Sequence, residues 1–389
     1  MKNLLTYIKT TAMGYIMNST LIYYYFRLKS TPLLFKYEKP VNFQGRNPHC
    51  KIFKGNTFIS EDFEIIPVPY FEDNYSYLIF DLKFLTCVVV DPGDPQLILN
   101  MLVQENWDHS AGNLSLLNGL KLFQKHFEGI KVYGGLKDFS GFFTKWYTGV
   151  KNFVNDKDEI YVGRLCFKVF ETNWHTSGHS MYLFDPIKSL NLKENNDELA
   201  LSYPCSLFCG DSFFSGGIGM FFEGSSVDLH NFFTTSFQKI PTTTLLWPGH
   251  EYAFTNFQFA KEVEPNNLAI QFRLKDVKHL KYINSSSVPT TLAQESQFNP
   301  FLRIHGQAAK IVAAKRGTLI SDYGGGGPEE IYSSVKNLLS ERVKKIEEEL
   351  KDELKKKWKR VEIREDELLE ILVLQCLRVL KSEFIPSKL

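Results

Sequence analysis

WDHSAGN, residues Trp107–Asn113, sets a carboxylate beside an imidazole, after an apolar segment and before a small-residue turn. In a chain that alternates strands and helices, such a point is where a parallel strand gives way to a helix, and metal ligands gather at these strand ends. The pair alone decides little, because Asp-His is more often a helix cap or a hydrogen-bonded surface pair. Its meaning depends on what else in the chain ends apolar strands in the same way.

The chain has 389 residues, 43% of them hydrophobic and 14% aromatic, enough for a sizeable buried core. Lys and Arg number 45 against 44 Asp and Glu, so bulk charge gives no reason to expect nucleic-acid binding. Six cysteines lie scattered without the second close pair of a zinc ribbon, and read as reduced thiols inside a cell. The first 37 residues carry no acid, and the uncharged run TTAMGYIMNSTLIYYYF between Lys9 and Arg27 suits a membrane anchor with interfacial tyrosines. A mitochondrial targeting segment and a surface helix are the alternatives.

From Phe63 the pattern becomes that of a compact domain. EIIPVPYFEDNYSYLIFD and FLTCVVVDPGDP read as two strands of a β-meander, followed by a short helix after Pro95. A helix is expected over Leu114–Phe127, then a strand near Tyr133, an aromatic loop through Trp146 and the strand pair EIYVG and LCFKVFET. This alternation gives an α/β fold class. Gly324–Gly327 lack a following Lys-Ser/Thr and read as a hinge, and the charge-laced stretch from Lys345 to Lys381 reads as a long solvated helix that offers a surface for a protein partner.

Four more polar residues close apolar strands: His175 and His179 in WHTSGH, Asp211 in LFCGDS and His250 in LLWPGH. Singly each is a satisfied structural residue. Together with Asp108 and His109 they make a His/Asp set of first-row metal type, suited to zinc, iron or manganese, with oxygen donors that favour a hydrolytic water.

DNYSYLIFD, VVVDPGDP, WDHSAGN, HTSGHSMY, FCGDSFFSGGIGMFFEG and LLWPGHEYAFTNFQFAKEVEPNN, in this order, resemble the metallo-β-lactamase fold and, within it, the glyoxalase II (hydroxyacylglutathione hydrolase) family. The resemblance implies an αββα sandwich of two mixed sheets with a helical C-terminal extension. It divides the chain into a membrane-associated or targeting segment (1–29), a linker (30–62), a hydrolase domain (63–265) and a helical domain (266–389). It implies one or two divalent metal ions, with Asp108, His109 and His250 on one, His175 on the other and Asp211 bridging; Asp108 and Asp211 are the catalytic carboxylates. His179 is expected to support rather than ligate. Tyr252, Arg378 and Lys381 are implied to hold a glutathione-derived thioester. A thioester suits such a site because its thiolate leaves without a strong general acid.

Two departures stand against a complete site. The family's HxHxDH motif meets Gln104 and Asn106 in place of its first two histidines. Between Pro95 and Trp107 there is room for the helix only, so a buried strand with its terminal His-x-His is expected to be missing before Trp107. Met220 occupies a place where relatives carry a basic residue. The expected function is a metal-dependent thioester hydrolase impaired at its first metal site. A non-catalytic membrane-associated scaffold is the rival, and persulfide oxidation on one iron held by two His and one Asp is a third course.

Overall fold

A computed structural model describes residues 57–70, 73–84, 86–94, 97–98, 102, 109–112, 131–139, 152–192, 201–304, 328–339, 342–356 and 364–385. The acid-free N-terminal segment, Gln104, Asn106, Asp108, the helix expected at Leu114–Phe127, the loop through Trp146 and Gly324–Gly327 lie outside the described residues.

Strands β1 (Phe58–Ile59), β2 (Phe63–Tyr70), β3 (Asn74–Asp81), β4 (Thr86–Val90) and β5 (His109–Gly112) form one sheet in that order. The stretch expected as the first meander strand is two strands, β2 and β3, paired antiparallel from Phe63↔Asp81 to Tyr70↔Asn74. Pro67 and Pro69 are tolerated in β2 because β1 covers only Glu64 and Ile65. Since Phe58 and Ile59 already pair, the sheet begins ahead of Phe63.

After the small parallel pair β6 (Tyr133–Gly135) and β7 (Asn152–Val154) comes a second sheet. Its strands are β8 (Glu159–Val162), β9 (Leu165–Glu171), β10 (Ser180–Phe184), β11 (Ser206–Gly210), β14 (Leu245–Pro248) and β15 (Thr290–Thr291), in the order β8-β9-β10-β11-β14-β15. The hairpin β12 (Phe213–Phe214) and β13 (Gly217–Ile218) follows β11. The main helices are α1 (Ser226–Thr235), α2 (Ala253–Val263), α3 (Leu268–Tyr282), α4 (Leu292–Phe298), α5 (Pro328–Leu339), α6 (Arg342–Lys356) and α7 (Glu365–Glu383).

Strand periodicity builds the layers. Phe63, Ile65, Tyr75, Tyr77 and Ile79 from the first sheet pack on Phe167, Val169, Phe208 and Trp247 from the second. The alternate residues Leu78, Phe80 and Val89 face outward onto Ile98, Leu102 and Val132. On the far side Phe170, Met181, Leu207 and Leu246 meet Leu229 and Phe232 of α1 and Leu350, Leu354 and Ile371 of the C-terminal helices. Helices thus cover both faces of a two-sheet sandwich, the αββα architecture expected. Of the helices after Asn266, α4 to α7 contribute to this core, while Ile270 and Val277 of α3 pack with Ala253, Phe257 and Phe298 in a separate cluster.

The long charged stretch is two helices, α6 and α7. Ile346, Leu350 and Leu354 recur every fourth residue, so one stripe of α6 is apolar and buried against the core, and its Lys and Glu residues face outward. The apolar stripe that a partner helix would use is therefore already occupied within the fold.

At the expected gap the chain does something specific. His109–Gly112 runs parallel to β4, with Thr86 opposite His109 and Val89 opposite Gly112. An empty slot there would leave the edge of β4 without hydrogen-bonding partners, and these next residues supply them. His109–Gly112 is thereby drawn into the sheet.

A buried ion cluster ties the two sheets at one end. Arg164, in the β8–β9 turn, donates from Nε to Asp81 Oδ2 at 2.6 Å and from Nη2 to Asp81 Oδ1 at 2.8 Å and Asp62 Oδ1 at 3.1 Å. Burial raises the Asp62 carboxyl, but hydrogen bonds from Lys83, Tyr203 and Arg164 outweigh it and hold the group below its ordinary value. Arg164→Ala leaves the fully buried Asp81 unpaired and should cost about 3–5 kcal/mol in denaturant unfolding. Because a depressed carboxyl stabilises the fold above its unfolded pKa and loses that contribution as pH falls through its lowered one, the variant should also lose less stability on acidification than the parent.

Candidate functional site

Strands β11 and β14 are parallel neighbours, with Phe208 opposite Trp247 and Gly210 opposite Pro248. They end together, so Asp211 and His250 emerge side by side at one sheet edge. Gly210 makes the exit possible. Its φ of +47° lies in the left-handed region, and a Cβ there would stand 2.8 Å from His179 Nε2. The β2–β3 turn of the other sheet reaches the same edge: Tyr75 N–H donates to Gly249 O at 2.9 Å and Glu251 N–H to Asp73 O at 2.7 Å.

Asp211 stands at the centre. Its Oδ2 lies 3.4 Å from His175 Nε2 and its Oδ1 3.4 Å from His250 Nε2. The outer nitrogen of each imidazole is committed elsewhere: His175 Nδ1–H donates to Met220 O at 3.0 Å, and His250 Nδ1–H to Asp73 Oδ1 at 2.9 Å. Both rings therefore turn their Nε2 toward the same carboxylate. Burial raises the Asp211 carboxyl, and the two imidazoles overcome this to hold it well below the ordinary carboxylate range. Burial opposes the charge on His250, yet Asp211 and Asp73 raise it to about 10.

His179 supports this centre. It lies half-buried in the loop before β10, where its Nε2 accepts the Asp211 backbone N–H at 3.2 Å, and its Nδ1 lies 2.7 Å from Thr172 Oγ1 and 3.0 Å from Ser212 Oγ. Burial, then the neighbouring His175, lowers it to about 3, so it stays neutral and can accept that proton. Tyr252 stacks on His250 with ring centroids 4.7 Å apart and is 38% exposed, at the mouth of the site.

The donor chemistry suits a divalent cation. Two donors about 2.1 Å from a tetrahedral ion lie about 3.4 Å apart, the spacing between Asp211 and each imidazole and too long for a strong hydrogen bond. Histidines whose outer N–H rests on a carboxylate or a carbonyl are oriented as metal ligands are. Asp211 offers a different oxygen to each ring, so the donors spread along the carboxylate, and among the described residues no group of three His, Cys, Asp or Glu closes around one point.

The structure does not bring His109 to this centre. Its backbone is in register with Thr86, at the start of β4, whereas the site lies beyond the other end, past Val90. Asp108 lies outside the described residues. Arg378 is buried, its Nη1 donating to Ile218 O at 3.1 Å, and Lys381 Nζ donates to Thr255 O at 3.2 Å. Asp73 and Asn74, whose Nδ2 lies 3.2 Å from His250 Nε2, belong to the site although the sequence does not single them out. Their signal was a carboxylate and an amide at a strand turn, but the partner is 177 residues away.

Gly210→Ala forces a left-handed alanine against His179 and should cost about 1–3 kcal/mol, read as a lowered thermal midpoint, together with a marked loss of hydrolytic turnover.

Residues 251–384 match the family described as hydroxyacylglutathione hydrolase C-terminus. A hydroxyacylglutathione hydrolase of Rippkaea orientalis is 31% identical over 260 residues, covering 64% of this chain and 91% of the relative. Another, of Gloeothece citriformis, is 31% identical over 259 residues with the same coverage, 64% and 91%. A solved metallo-β-lactamase of Staphylococcus aureus superposes with a TM-score of 0.41 at 21% identity, covering 71% of each chain. With nine-tenths of two curated relatives spanned at that identity, the chain belongs to the hydroxyacylglutathione hydrolase family.

Proposed function

We propose that the protein hydrolyses a glutathione-type thioester at the Asp211 centre. The observation that carries this is a single carboxylate held between two imidazoles whose outer nitrogens are fixed by Asp73 and the Met220 carbonyl. His175, Asp211 and His250 are the residues that would have to close around one point to hold an ion, which they do not do as they stand; by donor chemistry it would be zinc first and iron or manganese otherwise. Such an ion supplies an acidified water and a positive charge beside the attacked carbonyl.

The chain's own groups do the rest. Asp73 fixes the tautomer and orientation of His250, and Met220 O does the same for His175. Tyr252 supplies an exposed aromatic face beside the reacting centre. Behind the loop from β13, Arg378 and Lys381 bring two cations together, and neither has a carboxylate partner among the described residues. Two unneutralised charges in a partly buried setting favour an anion, as the carboxylates of glutathione would provide. The leaving thiolate, with a parent pKa near 8.5, needs no strong acid.

One observation favours the rival scaffold: β5 takes up the residues that would complete the metal site. Metal content and S-lactoylglutathione hydrolysis, measured on the same preparation, decide between the two. Bound metal with turnover that drops at least about a hundredfold in His250→Ala and Asp211→Asn, with circular dichroism unchanged, supports the enzyme. Neither metal nor turnover supports the scaffold. The membrane association of residues 1–29, in mitochondria or elsewhere in the cell, is proposed from their composition alone and is tested by fractionation with and without that segment.

Burial, and then the Arg378 cation, lowers the Lys381 ammonium to about 7. Carboxylate binding needs the charged form, so the affinity for an S-alkylglutathione should weaken by up to about tenfold per unit as pH rises above that value. Lys381→Met should bind weakly at every pH between 6 and 8, with a flat profile; a sloping profile in the variant removes Lys381 from the anion site.

A further inference from the structure

We propose that the outer face of α3 is a docking surface for a bilayer that contains anionic phospholipid. The proposal does not depend on the hydrolase reading, because none of the residues on that face belongs to the Asp211 centre.

The sequence of α3, LAIQFRLKDVKHLKY, divides into two sides. Ile270 and Val277, with the half-buried Leu274, turn inward onto Ala253, Phe257 and Phe298. Leu268, Phe272, Lys275, His279 and Tyr282 follow one another at steps of four, three, four and three, so they lie along the opposite side. There Leu268 is 60% exposed, Phe272 61% and Tyr282 85%, and Ile283 at the C-terminal cap is 45% exposed. Single exposed apolar groups are ordinary on a protein surface, but here they line up along one helix.

Charge selects the occupant. Lys275, Lys278 and Lys281 are exposed against one exposed carboxylate on the helix, Asp276, and Lys275 and Lys278 have no ion pair among the described residues. Lys281 lays its Nζ 4.5 Å from the centroid of the Phe254 ring, so its stem runs over apolar surface while its charge stays outside. Arg273, the remaining cation of α3, is turned to the fold and donates to Ser287 O at 2.7 Å. A second copy of the chain packed about a two-fold axis would set these lysines against their own images, and protein interfaces are depleted in Lys. An anionic bilayer accepts both parts of the face: the apolar stripe enters the acyl boundary and the lysines extend to the phosphates.

The same helix is fastened to the site. Just beyond Ile283, Ser286 Oγ accepts from Tyr75 Oη–H at 2.7 Å, and Ser287 donates from its backbone N–H and its hydroxyl to Glu251 at 2.8 Å and 2.6 Å. Glu251 directly follows His250. A bilayer beneath α3 would therefore set the direction in which the site opens toward lipid.

The test is Phe272→Trp in the full chain, mixed with vesicles of phosphatidylcholine alone or with about a third phosphatidylserine, with acyl chains plain or brominated. The N-terminal segment contains no tryptophan, and the parent chain is the reference, so insertion of that segment is subtracted. We expect the emission added at position 272 to shift to the blue and to lose at least about half its intensity to bromine when phosphatidylserine is present, and to regain most of it in about 0.5 M salt. Lys275→Glu combined with Lys278→Glu, both at exposed positions, should remove the quenching with circular dichroism unchanged. Added emission that stays unquenched overturns the proposal, as does equal quenching on phosphatidylcholine alone or in the charge-reversed variant. A blue shift that grows with protein concentration in the absence of lipid assigns the face to a second copy of the chain and overturns it as well. Should Phe272→Trp not fold, Tyr282→Trp is read in the same way.

Discussion

Everything at the site follows from one pairing, the parallel register of β11 with β14. Parallel strands that end together must deliver their following residues to the same edge, and here those residues are Asp211 and His250. A carboxylate so placed, with burial working against its charge, needs cations or donors around it, and two imidazoles meet that need. Each imidazole in turn requires a fixed tautomer, and the acceptors that fix them come from opposite directions: Asp73 from the first sheet and Met220 O from the loop beyond β13. The site is therefore a joint between the two sheets as much as a feature of one.

That dependence explains which parts of the molecule the sequence made legible. Period-2 apolar runs such as LCFKVFE and SMYLF announce strands, and a Gly-flanked Asp or His at the end of such a run announces a sheet-edge residue. Asp211, His175 and His250 were visible on those grounds, and the family resemblance supplied their common purpose. Asp73 was not, because its importance lies in a contact with His250 across 177 residues. The turn at Asp73-Asn74 was missed for a related reason: Pro67 and Pro69 in β2 and the acidic turn blur the boundary between two strands that pair along their whole length.

The C-terminal helices carry the opposite lesson. Charge patterning alone suggested a solvated helix available to partners, whereas the apolar stripe at Ile346, Leu350 and Leu354 was the stronger signal, since a buried stripe of that width stabilises by more than surface ion pairs do. Once α6 and α7 are part of the core, Arg378 is buried, with Nη1 donating to the Ile218 and Gly219 carbonyls and Nη2 to Ser382 Oγ. Lys381, one turn nearer the C-terminal end and over the rings of Phe259 and Phe384, keeps a charge that burial disfavours and an anion would restore.

The most consequential mismatch between sequence and fold is at β5. A sheet whose outermost long strand is β4 has a row of backbone donors and acceptors to satisfy, and any nearby extended segment lowers that cost. His109–Gly112 meets that need by pairing parallel to β4. In the register of Thr86 with His109, four residues pair with β4, and His109 stays at the end of the sheet remote from Asp211. Among the described residues the centre holds one carboxylate between two imidazoles, which approach different oxygens and so do not close around one point.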